Sequence, residues 1–116
     1  MKQEAFKMTL LFDFYGSLLT EKQQCYFDLD YNQDFSLGEI AEQEGISRQG
    51  VHDAINRAEA VLQQMEQTTG CVQRMQLLRS AMQEITRSAQ TLLQHQDTQV
   101  RQEAQKILSS VSSVKE

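Results

Sequence analysis

The sequence has no tryptophan and no proline, and its 116 residues include only five glycines and two cysteines. Without proline, little in the chain interrupts a helix, and the abundance of Gln, Glu and Leu reads as an all-α protein. Cys25 and Cys71 are too few for a disulfide framework and read as free thiols. Together with His52 and His95 they lack the two-to-four-residue spacing of a zinc site, so neither metal nor cofactor is expected. Long apolar runs are also missing, and nothing approaches the roughly 20 residues that span a bilayer. The N-terminal apolar stretch follows Lys2 and Lys7 but is cut by Asp13, and no small-residue cleavage site comes after it. The expectation is therefore a cytoplasmic protein with no membrane insertion.

Basic charge is scarce in one half. Residues 1–66 hold five Lys or Arg against twelve Asp or Glu, a net of −7, while residues 67–116 hold six against four, a net of +2. Hydrophobic residues at 40% and charged residues at 23% are near globular averages, so the chain should fold around a real core.

What is present is helical grammar. From Glu4 to Leu19, Phe6, Leu10 and Phe14 alternate with Leu11, Tyr15 and Leu18, a stripe wide enough for burial on more than one side, loosened at Gly16 and Ser17. Thr20 and Gln23 form a capping box opening a second helix to Leu29 or Tyr31, with Cys25, Tyr26 and Leu29 facing inward. After the polar turn Asn32, Gln33, Asp34, a second capping box at Ser36 and Glu39 starts a third helix that ends at Gly45. Ser47 caps a fourth, carrying Val51, Ala54, Ile55, Ala58, Val61, Leu62 and Met65, and Thr68, Thr69 and Gly70 break it. Next, Cys71, Met75, Leu78, Met82, Ile85, Ala89 and Leu92 recur at spacings of 4, 3, 4, 3, 4 and 3, an a/d heptad seam. Asp97 caps a last helix through Val100, Ala104, Ile107, Leu108 and Val111, and the serine-rich tail from Ser109 is expected to fray. These elements divide the chain into residues 1–67 and a helical extension, 68–116.

Residues 36–59, SLGEIAEQEGISRQGVHDAINRAE, have the layout of a helix-turn-helix. Tight crossing of two helices needs a small residue in the first, a turn glycine, and branched apolar residues in the second. Ile40, Ala41, Gly45, Ile46, Val51 and Ile55 fill these roles. The outward positions near the start of the second helix are then Ser47, Arg48, Gln49, His52, Asp53, Asn56 and Arg57. Arg can contact guanine and phosphate, and Gln and Asn can pair with adenine edges. Asp53 would face the phosphates unfavourably unless it accepts from a cytosine amino group or pairs with Arg57. Five acids and two arginines in this stretch make a sparse electrostatic footprint for nucleic acid.

Asp28, Asp30, Asn32, Asp34, Ser36 and Glu39 also fall at the ligand positions of an EF-hand loop. Gln33 stands where that loop needs glycine, and Ser36 with Glu39 already forms a capping box, so the helix cap is the preferred reading. No nucleophile–base constellation or glycine-rich phosphate loop occurs. Tyr15 with Glu21 and His52 with Asp53 read as solvated neighbours, and the expectation is a non-enzyme.

LFDFYGSLLTEKQ at Leu11–Gln23, SLGEIAE at Ser36–Glu42 and SRQGV at Ser47–Val51 resemble the YlxM family, small helix-turn-helix proteins of Gram-positive bacteria. The last two segments are also similar to the C-terminal DNA-binding region of bacterial sigma factors, which implies a sigma-factor-like helix-turn-helix bundle with duplex DNA contacted by Arg48, Gln49, His52 and Asn56. Gly50, Asp53 and Ala54 depart from the arginine-richer sigma-factor helix. The YlxM resemblance implies a regulatory role near the signal recognition particle, whose protein or receptor would be a partner. The expected function is thus a DNA-binding regulator with a DNA site of Ser47, Arg48, Gln49, His52, Asn56 and Arg57; the alternative is an adaptor of the particle's GTPase or receptor that does not bind DNA. The 71–92 seam joins two chains as a homodimer or packs against the Phe6–Leu18 stripe of its own chain.

Overall fold

The computed structural model describes residues 2–114. Six α-helices follow in order: α1 (Lys2–Tyr15), α2 (Glu21–Tyr31), α3 (Leu37–Glu44), α4 (Arg48–Thr69), α5 (Cys71–Leu92) and α6 (Thr98–Ser113), with a short 3-10 turn at Gly16–Leu18. No strand occurs among the described residues. The chain divides into two compact units, residues 1–72 and 73–116.

Local chemistry sets the boundaries in the first unit. Thr20 Oγ1 accepts from Gln23 N at 3.1 Å while Gln23 Oε1 accepts from Thr20 N at 3.0 Å, so two backbone donors at the start of α2 are satisfied reciprocally. Ser36 and Glu39 repeat the arrangement at α3, at 3.0 and 2.8 Å. Gly45 and Gly70 end α3 and α4 in the left-handed conformation, with φ of +70° and +62°, where a Cβ would be strained. Thr68 and Thr69 remain helical, so the glycine alone ends α4.

α4 is the spine of this unit. Its N-terminal half buries Val51 and Ile55 with Ile40 and Ala41 of α3 and Tyr26 and Leu29 of α2. Its C-terminal half buries Ala58 and Leu62 with Met8, Leu11 and Tyr15 of α1, and with Leu19, Phe27 and Val72. α2 serves both clusters, and Phe27 is fully buried between Phe12 and Tyr31, with ring centroids 4.5 and 4.1 Å away and nearly parallel planes. Tyr15 donates to Glu66 Oε1 at 2.7 Å and also meets Thr69, and Glu66 accepts from Val72 N at 3.1 Å. That network ties the end of α1 to the α4–α5 corner, and Tyr15 is engaged there rather than with Glu21.

Three further sequence expectations on burial and helix ends need correction. Phe6, Phe14 and Leu18 are 64, 44 and 67% exposed, because the core takes Met8, Leu11 and Tyr15 with Leu10 and Phe12 packed at its edge. Cys25 is exposed and Phe27 takes the inward position. The serine-rich segment does not fray at Ser109, since α6 stays helical through Ser113, where the hydroxyl donates to the Ser110 carbonyl at 2.7 Å.

In the second unit, Asp97 caps α6 by accepting from Gln99 N at 2.8 Å, and Arg101 holds the connecting loop by donating to the carbonyls of His95 and Gln96. Ala89 and Ala104 are buried, whereas Leu78, Ile85 and Leu92 of the heptad seam are 58, 46 and 41% exposed. Met75, Leu78, Met82, Val111 and Val114 line a groove together with the polar side chains of Arg79, Gln83, Thr86 and Arg87.

The Asp30 carboxyl is held above its ordinary range, first by partial burial and then by the nearby charges of Glu59 and Asp34. A raised folded-state pKa means that the folded chain binds the proton more tightly, so stability falls as pH rises through that interval and Asp30 is a liability at neutral pH. Asp30→Asn should therefore raise the urea midpoint at pH 7. The gain should vanish below about pH 4, where an ordinary aspartate is protonated in the unfolded chain as well.

Candidate nucleic-acid interface

α3 and α4 meet through a turn of three residues, Gly45, Ile46 and Ser47. The Ala41 carbonyl accepts from both Gly45 N at 2.9 Å and Ile46 N at 3.1 Å, which closes α3 and redirects the chain. Ser47 Oγ then accepts from Gly50 N at 3.0 Å and opens α4. Ile40, Ala41, Val51 and Ile55 lock the two helices from within, as the spacing predicts. Ile46 does not join them; it is 40% exposed and lies over Gly50, where an added Cβ would stand 3.6 Å from Ile46 Cδ1. The redirected turn carries it past the core.

With Val51, Ile55 and Ala58 facing inward, Arg48, Gln49, His52, Asp53, Asn56 and Arg57 all remain exposed. At 100° per residue they occupy roughly one side of α4, and at 1.5 Å per residue they extend about 14 Å along it. The hydroxyl of Ser47 sits at the end of this face but is engaged as the helix cap. Arg48 runs its stem past α3, since a Cβ on Gly38 would lie 3.9 Å from Arg48 Cδ. Gly38 thus gives the arginine a lateral resting place, a role the sequence signals only as a second glycine near a cap.

Two pairs at i,i+4 spacing organise the face. Gln49 Nε2 donates to Asp53 Oδ1 at 2.9 Å, and Asn56 Nδ2 lies 3.4 Å from His52 Nδ1. Asp53 therefore engages Gln49, and its oxygen also lies 3.9 Å from His52 Nδ1, in place of the expected partner Arg57. On α3, the Glu39 carboxyl accepts from Ser36 N at 2.8 Å, and that bond, followed by the neighbouring Ser36 hydroxyl, holds it below the usual range. Asp28 accepts from Asn32 Nδ2 at 2.8 Å and Gln33 Nε2 at 2.7 Å. The acidic loop is thus occupied by its own amides and by the α3 cap, and no cluster of three or more His, Cys, Asp or Glu suited to a metal occurs among the described residues. No described helix is long and apolar enough to cross a membrane.

Comparison with known proteins agrees with this architecture. Residues 2–106 match the family described as "Putative helix-turn-helix protein, YlxM / p13 like", UPF0122. A UPF0122 protein of Desulforamulus reducens is 53% identical over 70 residues, 60% of each chain. One from Thermoanaerobacter is 46% identical over 85 residues, 73% of each chain. The YlxM protein of Bacillus subtilis is 59% identical over 61 residues, 53% of this chain and 56% of that protein. This chain thus aligns with less than two thirds of the Desulforamulus and Bacillus relatives. With a match extending over residues 2–106 and a helix-turn-helix built as described, the chain belongs to the UPF0122 family of YlxM/p13-like helix-turn-helix proteins.

Proposed function

We propose that this protein is a cytoplasmic regulator of a Gram-positive bacterium, not an enzyme, that contacts duplex DNA through Ser47, Arg48, Gln49, His52, Asn56 and Arg57. The observation that carries the reading is the exposed polar side of α4, standing on a helix-turn-helix whose Ile40, Ala41, Val51 and Ile55 are buried in the core. Arg48 and Arg57 supply the only cations on this face, so the reading requires selective contacts and low bulk affinity. Affinity then benefits from pairing two protomers, as in helix-turn-helix dimers generally, whose two reading helices lie about one DNA turn apart. The seam residues Leu78, Ile85 and Leu92, exposed within the second unit, support homodimerisation through residues 71–92.

The resemblance noted for Leu11–Gln23, Ser36–Glu42 and Ser47–Val51 supports a place in the signal recognition particle pathway. A second reading, an adaptor that docks on a basic surface of the particle's protein or its receptor without binding DNA, is favoured by the net charge of −7 on residues 1–66.

Two experiments test the proposal. In duplex titrations, log K should fall with log salt at a slope of about −2 per protomer, near −0.9 for each phosphate contact. Arg48→Ala should lower the slope by about one and weaken binding to all sequences alike. An adaptor would ignore duplex and bind the purified GTPase or its receptor at low salt. In sedimentation equilibrium the native chain should be a dimer, and Leu78→Glu with Ile85→Glu should give the monomer mass at unchanged helicity; unchanged mass would refute the seam.

A further inference from the structure

Asp53 stands in the middle of the α4 face, where a carboxylate opposes the phosphates. Its contact explains what it does there. Gln49 Nε2 lies 2.9 Å from Asp53 Oδ1, and an ionised carboxylate has no proton to give, so the amide must turn its nitrogen toward the acid. Asp53 thereby fixes which way the Gln49 amide faces. A primary amide has two N–H groups and one carbonyl oxygen, and this contact uses one N–H. The second N–H and Oε1 remain on an exposed side chain in the first turn of the helix.

That remaining fork is one donor beside one acceptor. In the major groove, adenine offers the complementary pair, N7 to accept and the N6 amino group to donate. Guanine offers two acceptors, N7 and O6, and the second would face Gln49 Oε1 with no proton between them. The geometry points to Asp53 as a positioning residue for base specificity: it holds Gln49 as an adenine reader, disfavours guanine at the same base pair, and restrains general phosphate affinity by its charge. This rests on the reading of α4 as the DNA-contacting helix and adds a residue outside the set proposed to touch DNA.

The test is selection from a random duplex library with the full-length protein, Gln49→Ala, Asp53→Ala and Asp53→Glu. The native protein should enrich adenine at one position, with about tenfold or greater preference over guanine, as expected for a good bidentate contact. Gln49→Ala should lose the preference at that position alone. Asp53→Ala should reduce it to near equality while raising affinity for unselected duplex, and Asp53→Glu, whose carboxylate can still reach Gln49, should restore part of it. An adenine preference unchanged in Asp53→Ala overturns this inference and leaves DNA reading standing, whereas a native protein that enriches nothing overturns both. The side-chain amide resonances of Gln49 in the DNA-free protein give an independent check. One proton should be shifted downfield and should move back in Asp53→Ala; identical spectra would refute the pairing whatever DNA does.

Discussion

One apolar edge on α4 places everything else in the first unit. Val51 and Ile55 fix the α3 crossing and the Tyr26 and Leu29 face of α2, and Ala58 and Leu62 on the same edge seat α1. Fully burying a Val, Ile or Leu side chain is worth about 1.5–3 kcal/mol, so these positions set the rotation of α4 about its axis far more firmly than the surface pairs opposite them. Because the edge is continuous, its other side has no choice but to face outward. The proposed reading face is thus fixed by what the core excludes, and α3, the Gly45 turn and the Ser47 cap set where that face begins.

The electrostatics then constrain what such a face can do. A helix-turn-helix with two arginines on a strongly acidic half gains little from the phosphate field, and Glu39, kept ionised by its cap, adds negative charge at the start of α3. The i,i+4 pairs on α4 are consistent with economy of another kind. Side chains already held by a neighbour lose less rotamer freedom on binding, so a small number of contacts can discriminate. Weak general attraction with ordered polar side chains favours selectivity over affinity, and the proposed pairing of protomers would complement it.

The parts of this structure that were legible in the sequence are those governed by local rules. Both capping boxes, the glycine stop at Gly45 and the helix-turn-helix spacing depend on residues within a few positions of one another, and Ile40, Ala41, Val51 and Ile55 pack as their periodicity predicts. The misses turn on what spacing does not carry. Phe6, Phe14 and Cys25 lie on helices with several apolar faces, and only the tertiary arrangement decides which face meets the core. Ile46 carries the right residue type at the right offset, but the turn geometry sends it over Gly50. For Asp53, two partners at i−4 and i+4 were available, and spacing could not rank an amide against a guanidinium. The structure chooses Gln49.

The central claim is that the polar side of α4 is the DNA-contacting surface. Its most direct test is amide chemical-shift mapping of the isotope-labelled full-length protein against duplex selected from a random library. The account predicts that the largest perturbations cluster at residues 47–57 and fade with added salt. Perturbations centred on the acidic residues between Asp28 and Glu44, or no perturbation at residues 47–57 under conditions where a basic protein partner binds, would contradict it.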